Sequence, residues 1–545
     1  MLFNSHGFIF VFLPVTLALF HLLSRRGKPS HALIALIAAS LLFYGWWEPK
    51  YLVLILLSVL LNFSVGEGIL RFNGGGRRVL LWFGVGMNLG ALAWFKYANF
   101  LLESGNAIFG TDIHLQRILL PLAISFFTFQ QIAYLVDTYR SESAERNFLR
   151  YTLFVTFFPQ LIAGPIVHHK EMLPQFVKNL DGLKLQNIII GATIFFIGLF
   201  KKVIIADGVA PYSDTVFTMA ANGDTLTFIE AWTGALAYSL QLYFDFSGYS
   251  DMAIGLARLF GVKLPVNFNS PYKAHNIIDF WRRWHMTLSR FLRDYLYFVL
   301  GGNRHGSVRT YTNLMIVMLL GGLWHGAGWT FVLWGALHGF YLLINHAWRH
   351  VWQARRSAGL SEGGIKRKMR FVAGRISSHG ITLLAVVFAW VLFRAENMDV
   401  AMRVYAGMLG INGVALPVEW LHSHASLAAS LGAVGVTFQP LAYMGPLFTP
   451  LRDIAVMAGA EIQVDSVGTI TAFLSLFLPI LFALFWPNTQ QIMRNVDVAP
   501  QRGQGGLPQI ITWRINTPFA VLTAMLAAYA CFGSTVVSQF LYFQF

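Results

Sequence analysis

Apolar runs long enough to cross a bilayer recur along this 545-residue chain, and no other feature constrains its fold as tightly. About 20 apolar residues make a helical span, and in lipid a helix satisfies its own backbone polar groups. Candidate segments fall near 7–23, 32–47, 51–70, 79–97, 118–137, 150–167, 187–206, 227–246, 247–261, 311–323, 326–347, 372–393, 467–486 and 516–534. Charged residues are 12% of the chain and hydrophobic ones 56%, whereas a soluble domain carries about 25% charged residues. The segment 150–167 contains Pro159 and Gly164-Pro165, which predicts a broken or re-entrant path. The first run lacks a basic lead and a cleavage site before Arg25, so it reads as a retained helix rather than a signal peptide. No periodic repeat is visible. The expected fold is all-α, a polytopic transmembrane helical bundle with short re-entrant or interfacial helices.

The formal charge of +15 does not point to nucleic acid, because the basic residues sit in short clusters between apolar runs. Lys and Arg accumulate on the cytoplasmic side of a membrane. Arg25-Arg26-Gly27-Lys28, Arg71 to Arg78, and Arg140, Arg146 and Arg150 therefore predict an outside amino terminus. The most basic stretch, Arg349 to Arg370 with Arg355, Arg356, Lys366, Arg367 and Lys368, is expected to be a cytoplasmic loop. Residues 395–466, poor in Lys and Arg and carrying Glu396, Asp399, Glu419, Asp453, Glu461 and Asp465, read as an extracytoplasmic insertion within a single domain, 1–545. The aromatic Gln539–Phe545 suits an interfacial anchor on the same side. The lone cysteine, Cys531, excludes intrachain disulfides and multi-thiolate metal sites.

Leu323-Trp324-His325-Gly326-Ala327-Gly328-Trp329 places an imidazole inside an apolar segment. Lipid offers its nitrogens no partner, so such a residue faces a polar cavity, and histidine is suited to moving protons near neutral pH. The small residues after it let a substrate or a backbone come close. A second constellation runs from Asp279 to Tyr295. As one helix at 100° per residue, Trp281, Leu288, Leu292 and Tyr295 lie to one side of His285. Arg282, Arg283, Arg290 and Arg293 lie to the other, spread over about 100°. His285 and Ser289 sit at the seam. Such a helix either rests its arginines on phospholipid headgroups or lines a funnel for an anionic substrate such as the phosphates of coenzyme A.

Gln241 to Gly255 carries Asp245 and Asp251 in apolar surroundings. They read as a proton relay, as helix caps, or as partners of the arginines above. His338 reads as a hydrogen-bonded packing residue. His168-His169 and His275 read as loop residues without a third metal ligand, and Lys201-Lys202 as side chains snorkelling to the cytoplasmic interface.

Three ordered stretches, Leu240–Pro271, Asp279–Arg304 and Leu323–Gly339, resemble the membrane-bound O-acyltransferase (MBOAT) family. The likeness is greatest to its bacterial branch that O-acetylates alginate, cellulose or peptidoglycan. The likeness extends in outline over the whole chain and is weakest over 410–465. It implies that His325 is the catalytic residue and His285 a second functional position. It also implies a polysaccharide acceptor and a periplasmic partner acetyltransferase of the serine-hydrolase type. Arginine-rich cytoplasmic surfaces and the activation of a thioester point to acetyl-CoA as the donor substrate, with no metal or other cofactor expected. Arg282, Arg283, Arg290, Arg293, Ser289, Trp324 and Asp245 are the candidate substrate-binding residues. The teichoic-acid D-alanylation branch shares both histidine motifs, but its members are shorter and differ after about residue 395.

These features predict an enzyme of a bacterial inner membrane that moves acetyl groups from a cytoplasmic donor towards the periplasm. His325 acts as general base, and His285 orients the acceptor or stabilises the oxyanion. An acyl-histidine intermediate is a variant of the same chemistry. The rivals are a proton-coupled transporter using Asp245, Asp251 and the histidines, for which repeats would be expected, and a scaffold in which His325 is dispensable.

Overall fold

The computed structural model describes residues 1–25, 29–116, 118–141, 144–178, 182–357, 365–417, 425–439, 476–496, 512–533 and 538–541. Apolar sequence becomes helix almost throughout. After a π-helical turn at Phe8–Phe12 come α1 (Leu13–Arg25), α2 (Pro29–Gly45), α3 (Tyr51–Arg71), α4 (Gly75–Leu92) and α5 (Ala98–Phe109). A π-helical turn at Ala93–Tyr97 joins α4 to α5, so helix runs without a break from Gly75 to Phe109. Next come α6 (Ile124–Ser141), α7 (Phe148–Thr156), α8 (Phe158–Leu161) and α9 (His169–Lys178). The expected break in 150–167 is present: Phe157 leaves helical geometry before Pro159, and the chain uncoils after Leu161.

The core is built on α10 (Leu185–Phe200), α11 (Asp207–Asn222) and α12 (Phe228–Leu259). The expected boundary between 246 and 247 does not exist, because α12 is one helix opened by a Thr227–Glu230 capping box. What resembled a break at Ser247-Gly248 is a packing surface. A methyl group on Gly248 would lie 2.7 Å from the Gly198 carbonyl oxygen, and one on Gly255 2.6 Å from that of Gly191. Two glycines on each helix, seven residues apart, thus bring α10 and α12 together backbone to backbone. Helix also continues through a π turn at Lys201–Ala206 into α11, beyond the expected end near 206.

That π turn corrects a second expectation. Lys201 and Lys202 turn inward. Lys202 pairs with Asp245 at 2.6 Å and Asp207 at 2.7 Å, and Lys201 with Asp251 at 2.5 Å. Asp245 and Asp251 of α12 therefore meet lysines of the neighbouring helix, not arginines. The same network holds residues 538–541: Ser538 Oγ donates to Asp207, Lys202 Nζ to the Gln539 carbonyl, and the Leu541 amide to Asp245.

Further helices are α13 (Ile277–Trp281), α14 (Met286–Leu292), α15 (Gly306–His325), α16 (Trp329–Ser357), α17 (Ile365–Arg394) and α18 (Met398–Met408), with shorter helices at Leu476–Phe485, Thr489–Ile492 and Thr517–Phe532. The basic stretch expected as a loop is instead largely the ends of α16 and α17. Within 395–466 the described residues form α18, Ala425–Ala433 and a parallel strand pair, Ala415–Pro417 with Thr437–Gln439. Residues 467–475, the Tyr542–Phe545 tail, and Glu419, Asp453, Glu461 and Asp465 lie outside the described residues. Large apolar side chains such as Val11, Val79 and Ile381 are exposed, as lipid-facing positions are. Among the described residues five helices are long and apolar enough to cross a membrane, and the protein is multi-pass.

Candidate active site

The stretch Asp279–Tyr295 is not one helix. α13 ends at Trp281, the chain turns, and His285 adopts φ 42°, ψ 54° before α14 begins. This left-handed geometry is rare for a residue with a side chain, and Asn267 imposes it. The Asn267 carbonyl oxygen accepts from the Met286 amide at 2.9 Å. Its side-chain oxygen accepts from the Thr287 hydroxyl at 2.9 Å and the Thr287 amide at 3.3 Å. His285 Nδ1 lies 3.1 Å from that same oxygen, so Nδ1 donates and the ring's lone pair sits on Nε2.

With the helix broken, the arginines do not share a face. Arg283 bonds Asp279 at 2.9 Å, Arg290 grips Glu171 of α9 through two bonds of 2.8 and 3.1 Å, and Arg293 pairs with Asp294 at 2.7 Å. Arg282 is exposed. Ser289 points back to the Trp281 carbonyl. Asp245 lies in the lysine network described above, 2% exposed, and anchors the 538–541 segment.

His325 is the last residue of α15, 4% exposed, and His285 is 0% exposed. Their ring centroids stand 6.4 Å apart. The α15–α16 turn is tight because Gly322 packs on the Phe331 carbonyl and Gly335 on that of Met318. Trp334 and Phe393 wall His325 at 5.2 and 5.1 Å. His338 is sealed among Trp281, Trp334 and Tyr341. Neither of its ring nitrogens has a hydrogen-bond partner among the described residues, so it packs, but not in the hydrogen-bonded manner expected.

His325 lines a narrow cavity, and a wider cleft lies farther along α6. The cavity of about 30 Å³, lined by Lys96, Ser125, Trp324 and His325 among others, has room for one or two waters. The cleft of about 600 Å³ is lined by Asp137, Arg140, His168, Asp294, Tyr295, Phe298 and Arg304. Helix α6 contributes to both, and the rise from Ser125 to Asp137 is about 18 Å. Between them runs an aromatic column. Tyr295 meets Phe291 at 4.9 Å, Phe291 stacks on Phe129 at 4.2 Å, and Phe129 stacks on Trp324 at 5.3 Å, next to His325. At the cleft, His168 Nδ1 lies 3.0 Å from the Tyr295 hydroxyl. Burial first, then the Arg290 charge, holds the His168 imidazole below its usual range, so it accepts this bond as the neutral ring.

Sequence reasoning missed Lys96 and Asn267. Lys96 Nζ donates to the carbonyls of Trp324 at 2.6 Å and His325 at 3.1 Å, beside the Tyr97 hydroxyl on that of Leu323 at 2.9 Å. The signal was present, since Lys96 is a charge inside an apolar run. Asn267 carried none, because only tertiary structure brings it to His285.

These features define a multi-pass helical membrane protein that buries two histidines side by side, His325 at a narrow cavity. Comparison with known proteins makes the class specific: the chain belongs to the MBOAT, membrane-bound O-acyltransferase family, whose model matches residues 138–385, and is an O-acyltransferase. It is 47% identical to the peptidoglycan O-acetyltransferase of Helicobacter pylori over 444 residues, 76% of this chain and 81% of that protein. It is 41% identical to a probable alginate O-acetylase of Pseudomonas putida over 484 residues, 86% and 92% of the two. The teichoic acid D-alanyltransferase of Streptococcus thermophilus is 29% identical over 258 residues, 45% of this chain and 62% of that protein.

Proposed function

We propose that this protein transfers acetyl groups from acetyl-CoA, bound on the cytoplasmic side of a bacterial inner membrane, towards a polysaccharide hydroxyl on the periplasmic side. The observation that carries the reading is the buried His285–His325 pair, with His325 at the narrow cavity and the neighbouring Trp324 linked through stacked rings to Tyr295 at the wider cleft. Arg140 and Arg304 line the wider cleft, and Arg293 pairs with its wall residue Asp294. Basic residues favour the cytoplasmic side, and guanidinium groups suit the phosphates of a coenzyme A donor. The aromatic column then marks the line along which the acyl-bearing arm reaches Trp324 and His325.

His325 removes the acceptor hydroxyl proton as its oxygen attacks the thioester carbonyl, and the coenzyme A thiolate leaves. His285, with its lone pair on Nε2, orients the acceptor hydroxyl by accepting from it. Delivery to the polymer is completed by a periplasmic partner acetyltransferase of the serine-hydrolase type. The relatives' names support a glycan acceptor, since they act on peptidoglycan and alginate. The D-alanylating relative aligns with less than half of this chain, which favours acetyl over alanyl transfer. A transporter reading loses its proton path, because Asp245 and Asp251 are each paired with a lysine. The test is acceptor-dependent release of free coenzyme A from acetyl-CoA by the purified protein. Release by wild type and not by His325→Ala is expected, and equal release by both would overturn the reading.

A further inference from the structure

The cavity beside His325 is lined by a lysine, Lys96, with no carboxylate beside it among the described residues. Lys96 Nζ reaches the final carbonyls of α15, which have no partner within their helix. A neutral donor satisfies such carbonyls at lower cost, as the Tyr97 hydroxyl does next door, whereas burying a charge is expensive. Lys201 and Lys202, two lysines turned into the bundle, each meet a carboxylate. Among the described residues none lies within 4 Å of Lys96. The first turn of the 18-residue α6 also lines the cavity, at Ile124 and Ser125, and adds the positive end of its dipole. Positive groups without a counter-charge, next to a base, suit a negative charge that exists only during the reaction.

We propose that Lys96 is a catalytic residue whose remaining Nζ hydrogen holds the oxyanion of the tetrahedral intermediate, while its two bonds to the α15 carbonyls keep His325 in place. The assignment rests on the acetyl-transfer reading above. As the acceptor oxygen forms its bond to the acetyl carbon, its proton passes to His325 and the carbonyl π pair moves onto oxygen beside Lys96. When that pair returns, the C–S bond breaks and the thiolate departs. His285 is left to orient the acceptor, since its Nδ1–H is committed to Asn267.

The test compares Lys96→Met, Lys96→Arg and Tyr97→Phe in cells carrying each as the sole copy, reading polymer-bound acetyl per unit of membrane protein. Tyr97→Phe removes a bond to the same helix end without removing charge, so it isolates a purely structural role. Lys96→Met should lose about 10²–10³-fold in turnover, the usual effect of deleting an oxyanion donor. Lys96→Arg should restore part of that loss, and Tyr97→Phe should stay within about threefold of wild type, by the usual size of one neutral hydrogen bond. Equal losses in Lys96→Met and Tyr97→Phe, or a Lys96→Met protein as active as wild type, would overturn the proposal. If Lys96→Met lowers abundance, Lys96→Cys is purified and alkylated with 2-bromoethylamine, which rebuilds an ammonium at this position. Recovered turnover supports the assignment and unrecovered turnover overturns it. The cell readout does not depend on donor identity. A wild-type protein inert towards acetyl-CoA would thus overturn the donor reading while Lys96 is still judged on polymer acetylation.

Discussion

His285 begins one helix and His325 ends another, and their imidazoles meet with ring centroids 6.4 Å apart. Neither ring depends on its own helix for position. Asn267 sets the first, and the Gly322 and Gly335 contacts of the α15–α16 turn set the second. Replacing His325 with Ala should lower polymer acetylation by about 10²–10⁴-fold, the usual worth of a positioned base, with membrane abundance unchanged. His285→Ala should also be severe. Asn267→Ala should reproduce much of the His285 defect without touching the imidazole itself. Acetyl content of the polymer with each variant as the only copy checks all three, and a normal Asn267→Ala strain would refute its positioning role.

The Lys202–Asp245 pair predicts a stability defect rather than a chemical one. Both side chains are 2% exposed, and removing one partner of a buried pair costs about 3–5 kcal/mol because the other charge is stranded. Lys202→Met should therefore reduce abundance and lower the Tm in detergent. Lys202→Met combined with Asp245→Asn should recover part of the loss, since the two sites are coupled. Additive losses in the double variant would show that the pair does not act as a unit.

Donor binding should respond unevenly to the arginines. Neutralising Arg140 or Arg304, which line the wider cleft, should raise the donor KM by about ten- to a hundredfold, if each makes a charge-assisted phosphate contact of about 1.5–3 kcal/mol. Arg293→Gln should act in the same sense, more weakly, because Asp294 shares its guanidinium. Arg290→Gln frees Glu171 and should appear first as lower membrane yield. Donor titrations on purified variants, alongside their yields, separate these effects, and unchanged KM values at Arg140 and Arg304 would remove the donor from this cleft.

Cysteines introduced at Arg309 and Glu396, both exposed, should report opposite faces of the membrane. The buried Cys531 is the chain's only natural thiol, so replacing it gives a clean background. An impermeant maleimide applied to intact spheroplasts should label position 396 and spare 309. Labelling of both would reverse the direction assigned to transfer.

The helical fold and the two histidines were legible because burying an imidazole or a polar backbone in an apolar run leaves few physical solutions. The irregular path after Pro159 was legible for the same reason. The turn at His285 was not, since no glycine or proline marks it and the hydrogen bonds that force it come from Asn267, 18 residues away. An unbroken helical wheel consequently gathered the arginines onto a face that does not exist. The continuity of α12 was hidden because Gly248 looks like a breaker until Gly198 is known to lie against it. Lys201 and Lys202 looked like interface residues because a sequence does not show that a π turn aims them at Asp251 and Asp245.

The seat of residues 538–541 bears on the order in which the molecule is assembled. Asn4 bonds the Ser538 carbonyl across 534 positions, and Lys202 and Asp245 reach Gln539 and Leu541 across 337 and 296. Helices α10 and α12 emerge from the ribosome long before these late partners exist. Their buried carboxylates and lysine must meanwhile wait with hydrogen-bonding capacity unfilled or wetted. Residues 538–541 can enter this polar socket only after both helices have been made, so the socket closes on a segment synthesised much later than its walls.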